Sequence, residues 1–298
     1  MPVTDYLPGD FSQHIQAPAS KEEALQYCEN LAKTHYENFT VASLLLPKEK
    51  KQHFYNIYSY CRWSDDLADE VPDPKKALEL LAWWGKELEK CYQGKSSHPV
   101  FVALEDTIRV FDIPITPFKN LLVAFTQDQT IKRYPTFQDV VGYCVNSANP
   151  VGHLVLYLCG YRDKDRQDLA DYTCTALQLT NFWQDIAIDL KKDRIYIPLE
   201  DLSNFNYSEA DLFAHKYNDN FVQLMKFEIE RTRDLFHKGL KLCELVDKKV
   251  RLDIELFSRG GMEILNRIEK NSYDVFTNRP ALSKTDKLKL MAQRVLGI

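Results

Sequence analysis

The segment Tyr58–Glu70, YSYCRWSDDLADE, carries three aspartates and one glutamate within its last six residues. Residues three and four positions apart share one face of an α-helix. One helical stripe therefore combines a phenol, a guanidinium and two carboxylates, namely Tyr58, Arg62, Asp65 and Asp69. The apolar stripe directly beside it consists of Phe54, Ile57, Cys61 and Ala68. Because the acidic stripe borders the apolar stripe instead of opposing it, the pattern predicts a helix whose acids line a cavity.

A second segment far along the chain repeats this design. In residues 176–198, ALQLTNFWQDIAIDLKKDRIYIP, the polar stripe consists of Gln178, Asn181, Asp185 and Asp189. The apolar stripe beside it consists of Leu179, Phe182, Ile186 and Leu190. Surface acids placed by chance remain the alternative for either stripe alone, but two matching stripes favour a binding site.

Both stripes place carboxylates four residues apart, as in the pair Asp65 and Asp69. Such a pair destabilises a helix by roughly a few tenths of a kcal/mol unless a cation lies between the two charges. Magnesium takes oxygen ligands, keeps several waters and commonly joins one or two carboxylates to substrate phosphates. The residues therefore predict Mg²⁺ together with an anionic ligand such as a diphosphate.

Other kinds of site lack their usual sequence signals. The chain contains no GxGxxG, P-loop, HExxH or GxSxG motif. Its net charge of −5, with lysines and arginines spread along the chain, argues against nucleic-acid binding. Its seven cysteines form no CxxC pair and predict reduced thiols. Without a signal-peptide pattern or a spanning apolar segment, we expect a cytoplasmic protein, with peripheral contact at the inner face of the membrane left open.

Composition and helix signals favour one all-α domain. Of 298 residues, 45% are hydrophobic and only 10 are glycine. Asp73, Pro74 and Gly94 supply the cap, first-turn proline and stop of one helix. Further helical patterns cover roughly 20–38, 47–70, 97–111, 136–160, 164–190, 218–246, 248–275 and 283–296. We expect residues 1–20 to form an N-terminal arm, residues 21–298 the catalytic domain, and residues 191–208 the longest loop.

The two acidic segments resemble the aspartate-rich motifs of the squalene and phytoene synthases, the head-to-head isoprenoid diphosphate synthases. The similarity covers nearly the whole chain and includes HYENF near its start, YCVNSANPVG at 143–152 and RGGMEILNRIE near its end. It implies an all-α, single-domain, terpene synthase-like isoprenoid synthase fold, a helical bundle with a central cavity. The implied magnesium ligands across that cavity are Asp65, Asp69, Asn181, Asp185 and Asp189.

The resemblance also implies roles for residues outside the two acidic segments and for some within them. The positions that correspond to diphosphate-binding residues are His35, Asn38, Tyr58, Arg62 and Tyr273. Tyr143 falls on a catalytic tyrosine and Gln178 on a polar residue near the reacting carbons, and Tyr58 and Arg62 are expected to act with them. Local alternatives are that His35 caps a helix, that Tyr143 is a core residue, and that Arg194 and Tyr196 order the loop instead of closing over the diphosphate.

Within the family, YCVNSANPVG and the second acidic segment are most similar to the bacterial hydroxysqualene synthases of the hopanoid pathway. This similarity implies a carbon–oxygen lyase that ionises presqualene diphosphate with Mg²⁺ and captures the rearranged cation with water, without NADPH. It also implies an upstream presqualene diphosphate synthase and a downstream reductase as partners. Prenyl transfer by a presqualene diphosphate, squalene or phytoene synthase of the same family is the first alternative. A catalytically silent assembly protein is the second.

Polar residues close to Tyr143 suggest where the capturing water lies. Asn146, Ser147 and Asn149 follow Tyr143 within six residues. We hypothesise that Asn146 and Asn149 in particular help Tyr143 to hold this water. The competing interpretation is that Asn149 and Pro150 only bend the helix.

Overall fold

The structure is a computed structural model that describes residues 20–34, 48–283 and 286. These residues contain α-helices and short 3₁₀ turns but no β-strand, so the predicted all-α class is confirmed for them. In chain order the helices are α1 (Lys21–Thr34), α2 (Lys48–Asp69), α3 (Pro74–Tyr92), α4 (Pro99–Phe111), α5 (Thr116–Gln127), α6 (Phe137–Ser147), α7 (Asn149–Cys159), α8 (Lys164–Asp189), α9 (Leu199–Asn204), α10 (Glu209–Phe213), α11 (Asp219–Gly239) and α12 (Lys248–Lys270).

Most predicted helices are present with ends shifted by a few residues, and two predictions are wrong. The pattern over 136–160 is two helices, because α6 ends at Ser147 and α7 begins at Asn149. Pro150 lacks a backbone N–H and is accommodated in the first turn of α7, so one helix cannot continue through it. The predicted loop 191–208 contains α9, which begins directly after Pro198. The predicted helix 283–296 lies almost wholly outside the described residues.

The chain divides into two compact units. The first comprises Met1–Thr130 and His153–Arg162, and the second comprises Ile131–Gly152 and Asp163–Ile298. The first acidic segment therefore belongs to the first unit and the second acidic segment to the second unit. A single domain over residues 21–298 stays a prediction.

Tryptophan packing anchors α2 within the first unit. Trp63 of α2 and Trp84 of α3 are fully buried and stack with ring centroids 5.2 Å apart. Their indole N–H groups donate to Tyr27 Oη at 2.9 Å and to Ser64 Oγ at 3.0 Å. Because buried rings and satisfied polar ends act together here, α2 is fixed against both α1 and α3.

In the second unit, α8 packs on α11 and α12. Trp183 of α8 is fully buried and donates from Nε1 to Thr232 Oγ1 of α11 at 2.8 Å. Gly261 of α12 lies so close to α11 that a Cβ atom there would overlap the Phe236 ring. This close approach explains why glycine occupies the RGGMEIL segment at that position.

Two further expectations concern the whole chain. The cysteines that the sequence analysis predicted to be reduced are all free thiols. Among the described residues, no helix is long and apolar enough to cross a membrane.

Candidate active site

The first acidic segment forms the last turns of α2, as its periodicity predicts. Phe54, Ile57 and Ala68 on its apolar stripe are at most 6% exposed, whereas Cys61 is half-buried. On the polar stripe, the Asp65 side chain is 48% exposed and Asp69 is exposed. Both carboxylates are therefore accessible to a cation while the neighbouring stripe is held in the core.

Arg62 is surrounded by carboxylates of its own helix. Its Nη2 atom forms an ion pair with Asp66, a residue only 2% exposed, and lies 3.4 Å from Glu70 Oε1. Its Nη1 atom lies 3.5 Å from Asp65 Oδ2. Partial burial lowers the pKa of Arg62, but Asp66 and Asp65 together with Tyr58 raise it, so the pKa is raised overall and the guanidinium stays charged. Asp66 is thus not a surface acid, and it fixes the direction of Arg62.

Tyr58 lies one turn before Arg62 and is half-buried. Burial raises the pKa of the Tyr58 phenol, and the Arg62 charge opposes that rise. The phenol is therefore protonated at neutral pH and is able to donate a hydrogen bond to an anion.

The second acidic segment forms the last turns of α8. Its apolar stripe is buried as predicted, with at most 7% exposure for Leu179, Phe182, Ile186 and Leu190. On the polar stripe, Asn181 is exposed, and Gln178, Asp185 and Asp189 are partly buried. The second unit thus presents two carboxylates and two amides along one edge of α8.

Arg279 is a residue of this site that the sequence analysis missed. It lies after α12 and binds Asp185 through two hydrogen bonds, from Nε to Oδ1 and from Nη2 to Oδ2, the latter at 3.0 Å. These hydrogen bonds raise the pKa of Arg279, and nearby Asp189 adds to the effect. The neighbouring Pro280 carbonyl accepts from Gln184 Nε2, which holds the segment on α8. Since 94 residues separate Arg279 from Asp185, no helical periodicity could reveal the pair.

Tyr143 lies in a buried aromatic cluster of the second unit. It is 5% exposed, and its ring centroid lies 5.6 Å from that of Tyr134, 5.8 Å from Tyr196 and 6.1 Å from Phe182. Phe182 and Tyr196 also line a small, partly open pocket together with Asp189 and Arg194. The cluster therefore connects Tyr143 with the second acidic segment, and it gives Tyr196 an ordering role in the loop.

The polar residues after Tyr143 have different environments. Asn149 is 4% exposed, and its Oδ1 accepts a hydrogen bond from Thr175 Oγ1 at 3.0 Å. Asn146 is partly exposed. Ser147 Oγ is buried and has no hydrogen-bond partner in the described part of the chain. Asn149, the first residue of α7, is thus bound to α8, whereas Ser147 has a polar atom available for a ligand.

Other predicted residues lie elsewhere. Tyr273 follows α12 in a left-handed conformation with φ of 67°, and burial together with Glu269 raises its pKa. His35 and Asn38 lie outside the described residues, so their predicted roles stay predictions.

The donor atoms of the two acidic segments suit magnesium. Among the described side chains, no three His, Cys, Asp or Glu residues come together as a metal-binding cluster. Magnesium is commonly held by only one or two carboxylates plus phosphate oxygens, so a pair of carboxylates on each helix matches its usual coordination. The guanidinium of Arg279 on Asp185 shows that this carboxylate attracts a cation.

A comparison with protein families identifies the family of the chain. The family model described as squalene/phytoene synthase matches residues 32–286, which include both acidic segments. The chain belongs to the squalene/phytoene synthase family. Its enzymes act on isoprenoid diphosphates, which agrees with the carboxylate, guanidinium and phenol groups of the two segments.

Solved structures and curated sequences of this family support the fold. The crystal structure of squalene synthase HpnC from Alicyclobacillus acidocaldarius is 38% identical in sequence to this chain. The match covers 85% of this chain and 96% of the HpnC chain, with a TM-score of 0.81. The structure of a dehydrosqualene synthase in complex with ligand is 27% identical in sequence, and the match covers 93% of this chain and 97% of that chain with a TM-score of 0.85. A phytoene synthase of Arthrospira platensis is 31% identical over 89% of this chain and 90% of its own length. The helical fold is therefore that of the squalene synthase family.

Proposed function

We propose that the protein is a hydroxysqualene synthase, a lyase that converts presqualene diphosphate and water into hydroxysqualene and diphosphate. The observation that carries the proposal is the polar end of α6. Ser147 Oγ is buried and unpartnered within the described chain, and it follows the buried Tyr143 by one helical turn. The likeness to the squalene synthase HpnC structure, at 38% identity, supports the squalene branch of the family.

In this proposal the acidic segments bind the diphosphate through metal. Asp65, Asp69, Asn181, Asp185 and Asp189 would hold Mg²⁺, which supplies positive charge to the departing diphosphate. Arg62, directed by Asp66, donates hydrogen bonds to that anion, and Tyr58 adds a phenol donor. His35, Asn38 and Tyr273 are proposed as further diphosphate contacts.

The buried residues then control the carbocation. When the carbon–oxygen bond breaks, its electron pair leaves with the diphosphate, and a cyclopropylcarbinyl cation remains. The aromatic faces around Tyr143 exclude bulk water and attract the cation while it rearranges to an allylic cation. The oxygen of one water then bonds to carbon, and its proton leaves with the diphosphate. Gln178 is proposed to lie near the reacting carbons.

We assign the position of this water to Tyr143, Ser147 and Asn146. Asn149 acts differently, because its Oδ1 is already bonded to Thr175 and its effect would come through packing. Replacing Ser147 or Asn146 by alanine should lower the share of hydroxysqualene among all products. The share should stay constant in Thr175→Ser, which keeps the hydroxyl that bonds Asn149. An unchanged share in both alanine variants would contradict the assignment.

Prenyl transfer is the second candidate function. The matches to phytoene synthases, at 31% identity and about nine-tenths coverage, favour this candidate, which uses the same acidic segments. Presqualene diphosphate and squalene synthases are further family alternatives, and a silent assembly protein is the non-enzyme alternative.

Substrate comparison separates these candidates. The protein would be incubated with Mg²⁺ and farnesyl, geranylgeranyl or presqualene diphosphate, each with and without NADPH. We expect hydroxysqualene from presqualene diphosphate alone, with no dependence on NADPH. Presqualene diphosphate or phytoene formed from the shorter substrates would instead establish prenyl transfer, and no diphosphate release from any substrate would support the silent protein.

The proposal also specifies the protein's surroundings. A presqualene diphosphate synthase would supply the substrate, and a reductase would remove the hydroxyl group of the product. We propose a cytoplasmic location, with peripheral contact at the inner membrane face where the lipid-like substrate partitions.

A further inference from the structure

Three aromatic rings form a layered stack in the second unit. Phe182 of α8 and Tyr196 of the following loop lie parallel, with centroids 3.7 Å apart and an interplanar angle of 3°. Tyr134 stacks on Tyr196 with centroids 5.7 Å apart and an angle of 20°. Tyr134 is only 2% exposed. Tyr196 is thus the ring that joins α8 to the segment before α6.

Tyr143 packs against the stack with its ring tilted to all three members. The interplanar angles are 59° to Tyr134, 42° to Tyr196 and 42° to Phe182. Tilted and edge contacts of this kind place positive ring edges against negative faces and favour one ring orientation. The stack therefore determines the direction of the Tyr143 ring and phenol.

The position of Tyr134 is fixed by hydrogen bonds of residues 132–134. The Tyr134 carbonyl accepts from Leu199 N at 3.0 Å, and the Lys132 carbonyl accepts from Ile195 N at 3.0 Å. Between them, Arg133 donates from Nη2 to Asp193 Oδ1 at 2.7 Å and from Nε to Glu209 Oε2 at 2.7 Å. Residues 132–134 are thus held to the loop that follows the second acidic segment, so Tyr134 moves with it.

We propose that Tyr134 is a positioning residue for the carbocation step. The Tyr134 ring contacts the rings of both Tyr196 and Tyr143. These contacts keep the Tyr143 ring in its position next to Phe182 and the polar stripe of α8. Removing this ring would let Tyr143 rotate, and the first cation would be captured by water more often before it rearranges. This inference rests on the proposed function, since it concerns the fate of the same cation.

The test compares product ratios in Tyr134→Leu and Tyr134→Phe. The readout is the ratio of cyclopropyl-retaining alcohols, formed by early capture, to rearranged product, measured by gas chromatography and mass spectrometry. We expect Tyr134→Leu to raise this ratio about three- to tenfold, the range that corresponds to loss of one aromatic contact. Tyr134→Phe keeps the ring and should stay within about twofold of the wild type.

Tyr207→Leu is the matched control. Tyr207 is 3% exposed and packs on Phe221 in the same unit, with ring centroids 5.3 Å apart. Its ring partner is thus Phe221 and not a member of the stack. The Tyr207→Leu variant should be less stable than the wild type but should give the same ratio of cyclopropyl-retaining alcohols to rearranged product. An unchanged ratio in folded Tyr134→Leu, or an equal change in Tyr207→Leu, would overturn the inference while the proposed function stands. A wild type that makes no rearranged product from presqualene diphosphate would overturn both.

Discussion

Single charges in the candidate site have partners that sequence periodicity does not assign to them. Asp66 lies off the predicted polar stripe, yet it is 2% exposed and binds Arg62. Asp185 lies on its stripe and is bound by Arg279 from a distant segment. Removing one member of a buried or partly buried pair leaves the other uncompensated, so these partners matter as much as the predicted residues.

Asp66→Asn should impair catalysis through Arg62. The variant keeps the shape of Asp66 but removes the charge that directs the guanidinium, so we expect diphosphate release to fall on the order of tenfold. Unfolding by urea should show a loss of about 1–3 kcal/mol. Glu70→Gln is the control, because exposed Glu70 makes only a 3.4 Å contact with Arg62. Equal effects in the two variants would contradict a special role for Asp66.

Asp253 should make stability depend on pH. Burial raises its pKa from 3.8 to about 7, and Asp247 adds to the rise. The folded state therefore holds this proton more tightly than the unfolded chain, so stability falls as the pH rises from about 4 to about 7. Asp253→Asn should remove this decline and unfold at higher urea concentration than the wild type at pH 8, but not at pH 4. The surface change Asp168→Asn should leave the decline in place.

At the scale of helices, close packing explains where the regular elements begin, end and touch. Pro150 separates α6 from α7, and the separation places Asn149 against Thr175 of α8. Gly261 allows α12 to approach Phe236 of α11 and Leu177 of α8. The polar stripe of α8 is therefore supported from behind by a tightly packed helix layer.

Gly261→Ala should destabilise the second unit. The added methyl group would overlap the Phe236 ring, and overpacking of this kind typically costs about 1–3 kcal/mol. The adjacent change Gly260→Ala is a matched control, since its nearest neighbour would be Leu282 Cδ1 at 4.0 Å. Thermal unfolding should show a lower midpoint for Gly261→Ala only. A similar midpoint for both variants would show that α12 tolerates the extra volume.

At the scale of the molecule, each compact unit contributes one acidic segment. The family match covers both units, since it extends from residue 32 to residue 286. In the proposed function both segments serve one reaction, so we expect neither unit to supply the activity alone.

Asp65→Ala and Asp185→Ala should therefore each abolish Mg²⁺-dependent diphosphate release. Removing metal with a chelator should have the same effect on the wild type, and added Mg²⁺ should restore activity only to the wild type. Asp168→Ala changes an exposed aspartate of α8 outside the polar stripe and should retain activity. Full release by either site variant would contradict a role for its segment in metal binding.

The sequence by itself determined the helical class and both amphipathic acidic helices, because the 3.6-residue period relates neighbours along one helix. It also located Tyr143 in YCVNSANPVG, a segment that resembles a motif of the family. The tertiary structure alone decided the Arg279 partner of Asp185 and the Tyr134 layer behind Tyr143. These features join residues from separate segments, and their spacing along the chain carries no periodic signal. YSYCRWSDDLADE thus predicted the acidic face, whereas burial of Asp66 against Arg62 became visible only in the folded chain.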